Sequence, residues 1–509
     1  MARFKEVDRS PRFLPIVLEA QLQPGSFEYA LDYLVDKELD LARLRARYRN
    51  GDTGAPAYDP SVMLKIVLLA YSRGMISSRA IERACRENVL FIALSGDSAP
   101  QFTTIARFVR ELGDDIASLF QQVLMTCDAQ GLIGRQMFAI DGVKLSSNAS
   151  KHRSGNHEDL ARKAARMECA VHKMIEAHRQ RDKQGEPSTP DDAAQKRSTD
   201  RLLAESKRIR DFLSSNKERA NAKGGVCKSN VTDNESAKMA TSKGVLQGYT
   251  AVAAVDSETQ VIVAATAHGS GSEQSVLLPM VRLTDALRTE QTVITADAGY
   301  HSEANLRALH DAGIPALIAD GQMRRRDERF KDQARYKKLA NPLYDKSKPA
   351  KNKLGLFQPA DFEFDEASRT CICPAGRRLH SNGGNCTING RSGHKFSGTK
   401  RDCEPCALRN QCLRHPERTP VRQVVFFQKG QHVAAMRFTE RMRKAIDSER
   451  GRKLYGRRMA TVEPVFGNLR ANKRLDRFTL RGQRKVDTQW KLYCLVHNIE
   501  KLAHNGYGG

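Results

Sequence analysis

Apolar and polar positions divide the chain into a helical first part and a later part that contains strands. Between residues 20 and 130, apolar residues recur at intervals of three and four, as in helices that bury one face. The clearest predicted helix has Asp59 as its N-cap, Pro60 in its first turn and Gly74 after its end. Further helices are predicted after Ser77-Ser78, over the segment TTIARFVREL, and from Asp114.

This succession of short helices has two interpretations. In a helix-turn-helix arrangement, TTIARFVREL would be the recognition helix and would present polar side chains to DNA. Those side chains are Thr103, Thr104, Arg107 and Arg110. In a plain helical bundle, the same arginines would lie in solvent, and the spacing alone does not separate the two alternatives.

From residue 136 the pattern changes to that of strands. Three apolar segments follow one another, QMFAIDGVKL, LQGYTAVAAVD and QVIVAATAH. A helix is predicted over 273–287, then the strand TVITA, a helix over 302–310 and the strand IPALIAD. The order β-β-β-α-β-α-β is typical of a mixed α/β sheet.

Two of these strands lead to an acid at or near their carboxyl end, Asp141 in FAIDG and Asp297 in ITADAG. If the first and fourth strands are parallel neighbours, about 4.8 Å apart, the two acids meet at one edge of the sheet. Carboxylates held that close repel each other unless a cation lies between them. We therefore expect a cation site there.

Two insertions interrupt this pattern. Residues 156–215 carry a heptad-like apolar repeat, broken by GEPSTP, which predicts an antiparallel helical hairpin that packs as an arm. Residues 324–430 hold six of the eleven cysteines. Their CPxG and Cys-x2-Cys spacing predicts a zinc-ribbon-like module with a structural Zn2+, because tetrahedral zinc needs thiolates gathered by tight turns.

The predicted zinc ligands are Cys373, Cys403, Cys406 and Cys412. Cys371 could replace Cys373, and His380, His394 or His415 could replace one thiolate. A disulfide or scattered free thiols are the alternatives, and a reducing compartment disfavours the disulfide.

Charge points to the partner. The 509 residues include 84 Lys or Arg and 59 Asp or Glu, a net charge of +25, which favours a polyanion such as nucleic acid. Residues 441–485 alone hold fifteen basic and four acidic residues. A membrane surface fits less well as the partner, since the sequence has no basic amphipathic helix with an aromatic anchor. The sequence also shows no apolar run long enough to span a membrane and no signal peptide. We expect a soluble, cytosolic, multidomain protein.

A third acid lies in the sequence LYGRRMATVEPVFGNLRANKR. Tyr455, Met459, Val462, Phe466 and Leu469 recur at helical spacing and are expected to face the sheet. Glu463 and Arg470 fall on the flank of this stripe, which would direct Glu463 toward the sheet edge. Pro464 makes the angular argument approximate, because a proline inside a helix kinks it.

FAIDGVK, ITADAGYHS and the Y-x2-R-x4-E-x6-R run with VEPVFGNLR resemble the DDE transposases of bacterial insertion sequences. The resemblance is to the insertion-sequence-four-like group, and most closely to its eleven-eighty-two family. It covers nearly the whole chain, including TTIARF, GYTAVAAVD, CPAG, the Cys-x2-Cys motif and HNIEKL. It implies an α/β fold with an RNase H-like mixed sheet, in which Asp141, Asp297 and Glu463 bind two Mg2+ ions, with Mn2+ as a possible substitute.

The resemblance also implies the activity and its DNA contacts. Such enzymes bind the terminal inverted repeats of double-stranded DNA, cut with water as nucleophile, and join the freed 3′-hydroxyl to target DNA. Tyr455 and Arg458 correspond to residues that contact phosphate near the cut end. The chain departs from the family pattern in two places: Arg470 stands where lysine is usual, and the spacing from Arg458 to Glu463 is one residue longer than in the best-known branch. The contact with DNA would be extended by Lys473, Arg474 and Arg477.

The implied organisation is a helical, DNA-binding domain over 1–130, a first core part over 135–323 with the arm at 156–215, the cysteine-rich insertion over 324–430, and C-terminal helices over 431–509 that complete the core. A homodimer on DNA and a place at the bacterial nucleoid follow from cutting two transposon ends. Two other functions stay open, a catalytically silent DNA-binding descendant and a metal-dependent nuclease without strand transfer.

Overall fold

The computed structural model describes residues 15–48, 56–184, 190–220, 225–241, 244–330, 332, 355–382, 386–388, 391–427 and 437–508. Contacts between residues divide the chain into two units. Residues 1–328 together with 438–509 form the first unit, and residues 329–437 form the second. The cysteine-rich insertion is thus a unit of its own, and the other domain boundaries stay predictions.

The first part of the chain is helical, as its apolar spacing predicts. The helices are α1 (Phe27–Tyr33), α2 (Ala42–Arg45), α3 (Pro60–Ser72), α4 (Ser78–Glu87), α5 (Val89–Ser95), α6 (Phe102–Glu111) and α7 (Asp115–Ala129). The ends of α3 are those predicted: the Asp59 carboxylate accepts the Ser61 N–H at 2.7 Å, and Gly74 follows with a φ of +68°. Helix α3 is buried on nearly every side, which makes it the centre of this part.

The chain then forms the first sheet strand and the arm. In order these are β1 (Met137–Ser146), β2 (Ser154–Gly155), α8 (His157–Lys183), α9 (Pro190–Ser215), β3 (Arg219–Ala220), β4 (Val226–Cys227) and β5 (Ser229–Asn230). Helices α8 and α9 pack side by side and run antiparallel, since Glu168 binds Arg210, whereas Met174, later in α8, contacts Thr199, earlier in α9. The predicted hairpin is confirmed, and residues 185–189 of its GEPSTP turn lie outside the described residues.

The rest of the sheet follows as β6 (Ala237–Thr241), β7 (Gly244–Asp256), β8 (Ile262–His268), α10 (Leu277–Leu283), β9 (Val293–Ala296), α11 (Glu303–Asp311), β10 (Ala316–Ile318) and α12 (Met323–Arg326). The sheet order is β10-β9-β1-β7, with β6 and β8 both paired to β7. Strands β10, β9 and β1 are parallel, whereas β7 is antiparallel to β1, β6 and β8. The mixed α/β sheet is as predicted, but the helix predicted over 273–287 is reduced to α10 after a short 3-10 turn.

The second unit is a small antiparallel sheet with two short helices. Its elements are β11 (Glu363–Asp365), β12 (Thr370–Ile372), β13 (Arg378–Ser381), β14 (Cys386–Ile388), β15 (Arg391–Ser397), α13 (Lys400–Cys403), α14 (Arg409–Cys412) and β16 (Gln423–Phe427). The strand order is β11-β12-β13-β15-β14, with β16 paired to β15. A small core of Phe362, Cys371, Leu379, Phe396 and Val424 holds this unit together.

Three helices return to the first unit, α15 (Phe438–Asp447), α16 (Glu449–Gly467) and α17 (Gln483–His504). Helix α16 packs on β1, β7 and β9. Helix α17 packs on β8 and on the N-terminal helices, so one hydrophobic core joins the N-terminal helices, the sheet and the C-terminal helices. Asn498 of α17 bonds both the N–H and the C=O of Ile262, each at 2.9 Å, which gives part of the outer edge of β8 its hydrogen-bond partners.

None of the helices in the described part of the chain combines the length and the apolar character that crossing a lipid bilayer requires.

Candidate active site

Asp141 and Asp297 occupy adjacent positions on neighbouring parallel strands. Ile140 of β1 is aligned with Ala296 of β9, and each aspartate is the next residue. Asp297 follows the end of β9, and its Oδ1 accepts the Gly299 N–H at 2.9 Å. The topology expected from the sequence is therefore present, and it carries both carboxylates to one place on the sheet.

Asp141 differs in one respect from the expectation that its strand ends at or near it. Strand β1 continues for five residues beyond Asp141, to Ser146. The reason is that residues 142–146 pair with 248–252 of the long strand β7, beyond the point where β9 ends. Within the strand, Oδ1 of Asp141 accepts the Gly142 N–H at 2.8 Å.

Arg458 from α16 supplies a cation to this pair. Its Nη2 atom lies 2.9 Å from Oδ2 of Asp141, and only 8% of its side chain is exposed. The Nε atom of Arg458 is buried and has no hydrogen-bond partner among the described residues. The guanidinium therefore has donor capacity to spare beside the carboxylates.

The charges around Asp141 act on its pKa in opposite directions. Burial raises the pKa of Asp141 above its ordinary value, Arg458 and the Gly142 N–H lower it, and the charges of Asp297 and Glu273 raise it again. The net shift is upward, so the site disfavours negative charge until more positive charge enters.

Two residues that the sequence analysis did not select lie at this site, Glu273 and Tyr300. A side chain at position 299 would collide with Oε2 of Glu273 and lie 3.0 Å from Oδ1 of Asp297. The Tyr300 side chain is fully buried, and its hydroxyl has no hydrogen-bond partner in the described structure. Burial raises the pKa of Tyr300, and the charges of Asp141, Glu273 and Asp297 raise it further.

A sequence signal for Glu273 exists but is weak. Glu273 ends the small-residue segment GSGS that follows β8, and loops after strands often carry functional residues. Because the sequence predicts a helix over 273–287, and a glutamate is common in helices, nothing in the sequence selects Glu273 as a site residue.

Helix α16 brings Tyr455 and Arg458 to the site, whereas its Glu463 is exposed. Its buried residues include Arg458, Val462 and Val465, so the buried stripe differs from the predicted one, and Met459 is 41% exposed. Glu463 is exposed and is not among the strongest electrostatic neighbours of Asp141 within the described residues. Its role as third acid stays a prediction.

Tyr455 lies half-buried near the aspartates. Burial raises its pKa, and the charges of Asp297 and Asp141 raise it further. The helix passes through Pro464 without ending, and Ala460 O, which loses its usual donor there, accepts Nε2 of Gln260 at 3.2 Å.

Two family models match the chain, and both describe transposases. Residues 372–503 match the model described as Transposase DDE domain, and residues 16–111 match Transposase domain (DUF772). These matches support a DDE transposase. The first includes Tyr455, Arg458 and Glu463, whereas Asp141 and Asp297 lie between the two matched segments. No curated protein and no solved structure matches the chain.

The residues predicted to contact DNA differ in their surroundings. Arg470, Arg474 and Arg477 are exposed, and Arg470 lies 3.9 Å from Asp476. Lys473 is buried and forms an ion pair with Glu500, so it has a partner inside the protein. On α6, Arg107 and Arg110 are exposed and Thr103 and Thr104 lie beside them, with Thr104 half-buried. Their contacts with DNA stay predictions.

A basic groove lies where the segment after α16 runs along the end of β1. It has a volume of about 550 Å³, and its basic lining residues are Lys151, Arg153, Arg477 and Arg481. Asn148 positions two of them, since Oδ1 accepts Nη2 of Arg477 at 2.9 Å and its backbone oxygen accepts Nε of Arg481 at 2.8 Å. Arg481 was missed in the sequence because it is one of many arginines in 441–485.

The four cysteines predicted as zinc ligands line one small cavity of about 30 Å³ in the second unit. Burial raises the pKa of the Cys412 thiol, Arg422 lowers it, and the thiols of Cys403, Cys373 and Cys406 raise it. Cys371 instead lies in β12, fully buried in the small core, and the alternative ligands His380, His394 and His415 do not line the cavity. All eleven cysteines are free thiols, and the described residues contain no group of three or more His, Cys, Asp or Glu already arranged to hold a metal ion.

Proposed function

We propose that this chain is the transposase of a bacterial insertion sequence, with an RNase H-like core. It binds the terminal inverted repeats of its element, cuts the DNA with a divalent cation, and joins the 3′ ends to target DNA. One observation carries the proposal: the aligned positions of Asp141 and Asp297 on parallel strands, in a chain whose two matched segments are both transposase domains.

The residues at the site suit Mg2+ or Mn2+. Both ions prefer carboxylate oxygens, and positive charge held by Asp141 and Asp297 would lower the raised pKa of Asp141. The Tyr300 hydroxyl beside these acids is buried and has no hydrogen-bond partner among the described residues. When bound, two such ions supply Lewis-acid stabilisation of the attacking and leaving oxygens at phosphorus. Asp141 and Asp297 would hold them, with Glu463 as the third acid.

A change in α16 would bring Glu463 to the pair. Glu463 lies five residues after Arg458, about 140° around the helix and about 7.5 Å along it, and it is exposed. Pro464, which interrupts the helical hydrogen bonds next to Glu463, and the wider π turn over Asn468–Asn472 give the helix a place to change.

Arg458 and Tyr455 would bind the phosphate at the cut. Arg458 forms an ion pair with Asp141 in the protein alone, and the arrival of cations would release its guanidinium to the phosphate oxygens. Its spare donor at Nε suits this second role.

The test is cleavage of a DNA duplex carrying the element's own terminal repeat. We expect Mg2+-dependent cutting by the wild type, and DNA binding without cutting by Asp141→Asn, Asp297→Asn and Glu463→Gln. Joining of a precut 3′ end to target DNA distinguishes a transposase from a nuclease. Binding without cutting by the wild type would instead favour the silent DNA-binding descendant, and full cutting by one variant would remove that residue from the site.

The cysteine cavity would hold a structural Zn2+. Four thiols around one small cavity supply the donor set that tetrahedral zinc prefers, and four protein ligands leave no open position for catalysis. Small inward shifts of the thiols would complete the site, in the way that metal binding orders many small domains.

The proposed reaction also implies an oligomeric state and a location in the cell. Cutting two ends of one element in register calls for a homodimer on DNA, at the nucleoid in the bacterial cytoplasm. Sedimentation with and without paired end DNA tests this, and a complex in which a single chain holds both ends would contradict it.

A further inference from the structure

We infer that Glu273 is a further cation-binding carboxylate of the site, beside Asp141 and Asp297. The inference rests on the proposed function, because it concerns the divalent cation that the reaction would use. It adds a residue from the turn between β8 and α10, which lies outside both matched segments.

The first observation is the way Glu273 lies over the turn after β9. Gly299 leaves open a space that a side chain would fill, and this space is bordered by Oε2 of Glu273 and by Oδ1 of Asp297. The glycine at 299 therefore allows two carboxylates from different elements to face one another. An arrangement that brings like charges together is unfavourable without a cation, so a purely structural role would not favour it.

The second observation is Tyr300, which points to a bound group independently of the acids. Its hydroxyl is buried and has no hydrogen-bond partner among the described residues, and a side chain at Gly142 would lie 3.2 Å from it. Leaving a hydroxyl buried and unbonded is unfavourable, so such groups usually have a partner. The same three acids act on this tyrosine, and a group held by them would supply the missing partner.

The third observation is how the site is neutralised without cations. Lys144 Nζ lies 3.5 Å from Oε1 of Glu273, and Arg458 Nη2 lies 2.9 Å from Oδ2 of Asp141. Glu273 and Asp141 thus each have one basic partner, whereas no ion pair of Asp297 is found among the described residues. Divalent cations would replace these two basic groups, which lie where positive charge is needed.

The competing explanation is that Glu273 only forms a salt bridge with Lys144. That pair is partly exposed, with 30% of the Lys144 side chain and 21% of the Glu273 side chain accessible, so it contributes little stability. The two explanations predict different effects for Lys144→Met, one on cation affinity and the other on stability. Loss of a competing positive charge strengthens cation binding at an acid site, whereas loss of a salt bridge only lowers stability.

The experiment titrates the full chain without DNA with Mn2+ and with Mg2+, by calorimetry and by the shift in unfolding temperature. We expect Glu273→Gln to weaken Mn2+ affinity at least tenfold and Lys144→Met to strengthen it severalfold. The matched control is Glu258→Gln, because Glu258 lies in the β7–β8 turn and covers Gly134 in the way that Glu273 covers Gly299. This control should bind Mn2+ as the wild type does.

The outcomes separate this inference from the proposed function. Wild-type affinity in Glu273→Gln, with binding lost in Asp141→Asn and Asp297→Asn, would overturn the role of Glu273 and leave the proposed function standing. Equal losses of stability in Glu273→Gln and Lys144→Met, with affinity unchanged in both, would show that the pair is only a salt bridge. Wild-type affinity in all of the acid variants, or no saturable binding by the wild type, would overturn both.

Discussion

Nη2 of Arg458 lies 2.9 Å from Oδ2 of Asp141, and the guanidinium that makes this ion pair is almost completely buried. A buried arginine is stable only when its charge is compensated, so helix α16 and strand β1 are joined at this point by charge as well as by packing. The same contact holds Arg458 next to the position where a DNA phosphate would be bound in the proposed reaction.

Arg458→Met should lower the stability of the first unit by about 2 kcal/mol, because it leaves the half-buried Asp141 carboxylate without its cation. The double variant with Asp141→Asn should lose less than the sum of the single variants. Thermal unfolding of the four proteins measures this coupling. Arg457→Met is the control, since Arg457 is partly exposed and bonds Gln136, and additive losses would show that the ion pair is absent in solution.

Tyr300→Phe should leave the unfolding temperature unchanged or raise it. The free energy of unfolding should rise by at most about 1 kcal/mol. The reason is that the hydroxyl is buried without a hydrogen-bond partner among the described residues, and removing it relieves the cost of desolvation. Tyr493→Phe is a matched control, because the Tyr493 hydroxyl is also buried and unbonded but lies in α17, stacked on Tyr71. A clear loss of stability in Tyr300→Phe alone would mean that the hydroxyl is bonded in the folded protein.

Arg481→Gln and Arg477→Gln should weaken DNA binding for all sequences alike. Each should reduce the slope of log affinity against log salt concentration by about 1, because each removes one phosphate contact from the basic groove. Fluorescence anisotropy at several salt concentrations gives this slope. Arg484→Gln is the control, since Arg484 is exposed but pairs with Asp114 at 2.7 Å, and an equal effect there would assign the binding to net charge alone.

Purified protein should carry one zinc per chain, and Cys406→Ser should lose it. The four thiols around the cavity in the second unit would act as a set, so removal of one lowers the affinity for the metal. Elemental analysis of protein prepared without chelators provides the measurement. Cys386→Ser should keep its zinc, because Sγ of Cys386 donates to Gly393 O instead, and zinc-free wild-type protein would refute the prediction.

Acid should destabilise the first unit between about pH 6.5 and pH 4 through His497. Burial lowers the pKa of His497 to about 4, and Gln260 O lies 2.9 Å from its Nε2. Above its ordinary pKa both states are neutral, and as the pH falls toward 4 only the unfolded chain takes up the proton, which removes about 3 kcal/mol of stability. His497→Gln should flatten the dependence of the unfolding temperature on pH in this range. His504→Gln, at the exposed end of the same helix, should leave it as steep as in the wild type.

Much of the fold was predictable from local patterns. The ends of α3 follow from Asp59, Pro60 and Gly74, and the β-branched segments around Asp141 and Asp297 correctly indicate strands. The order of strands and helices indicates a mixed α/β sheet, and the parallel pairing of β1 and β9, on which the expected meeting of the two acids depends, is present in it. These features depend on residues close together in the sequence, or on topology rules that hold for most sheets.

The surroundings of each side chain were less predictable. The periodicity of α16 predicts that Met459 faces the sheet, but Met459 is exposed and the charged Arg458 is buried instead. A hydrophobicity pattern could not indicate this, because Arg458 is compensated by a carboxylate more than 300 residues earlier in the chain. Lys473 is a similar case, since it lies in the segment after α16 and its partner Glu500 lies on α17.

The sequence by itself determined the class of sheet, the helical arm, the cysteine group and the two aspartates, because each is encoded by a local pattern of residue types. Only the tertiary structure decided that Arg458, Glu273 and Tyr300 lie at those aspartates while Glu463 is exposed. The physical reason is that charge compensation and burial depend on contacts between elements far apart in the chain. Such contacts leave no periodic signal in the segments that make them.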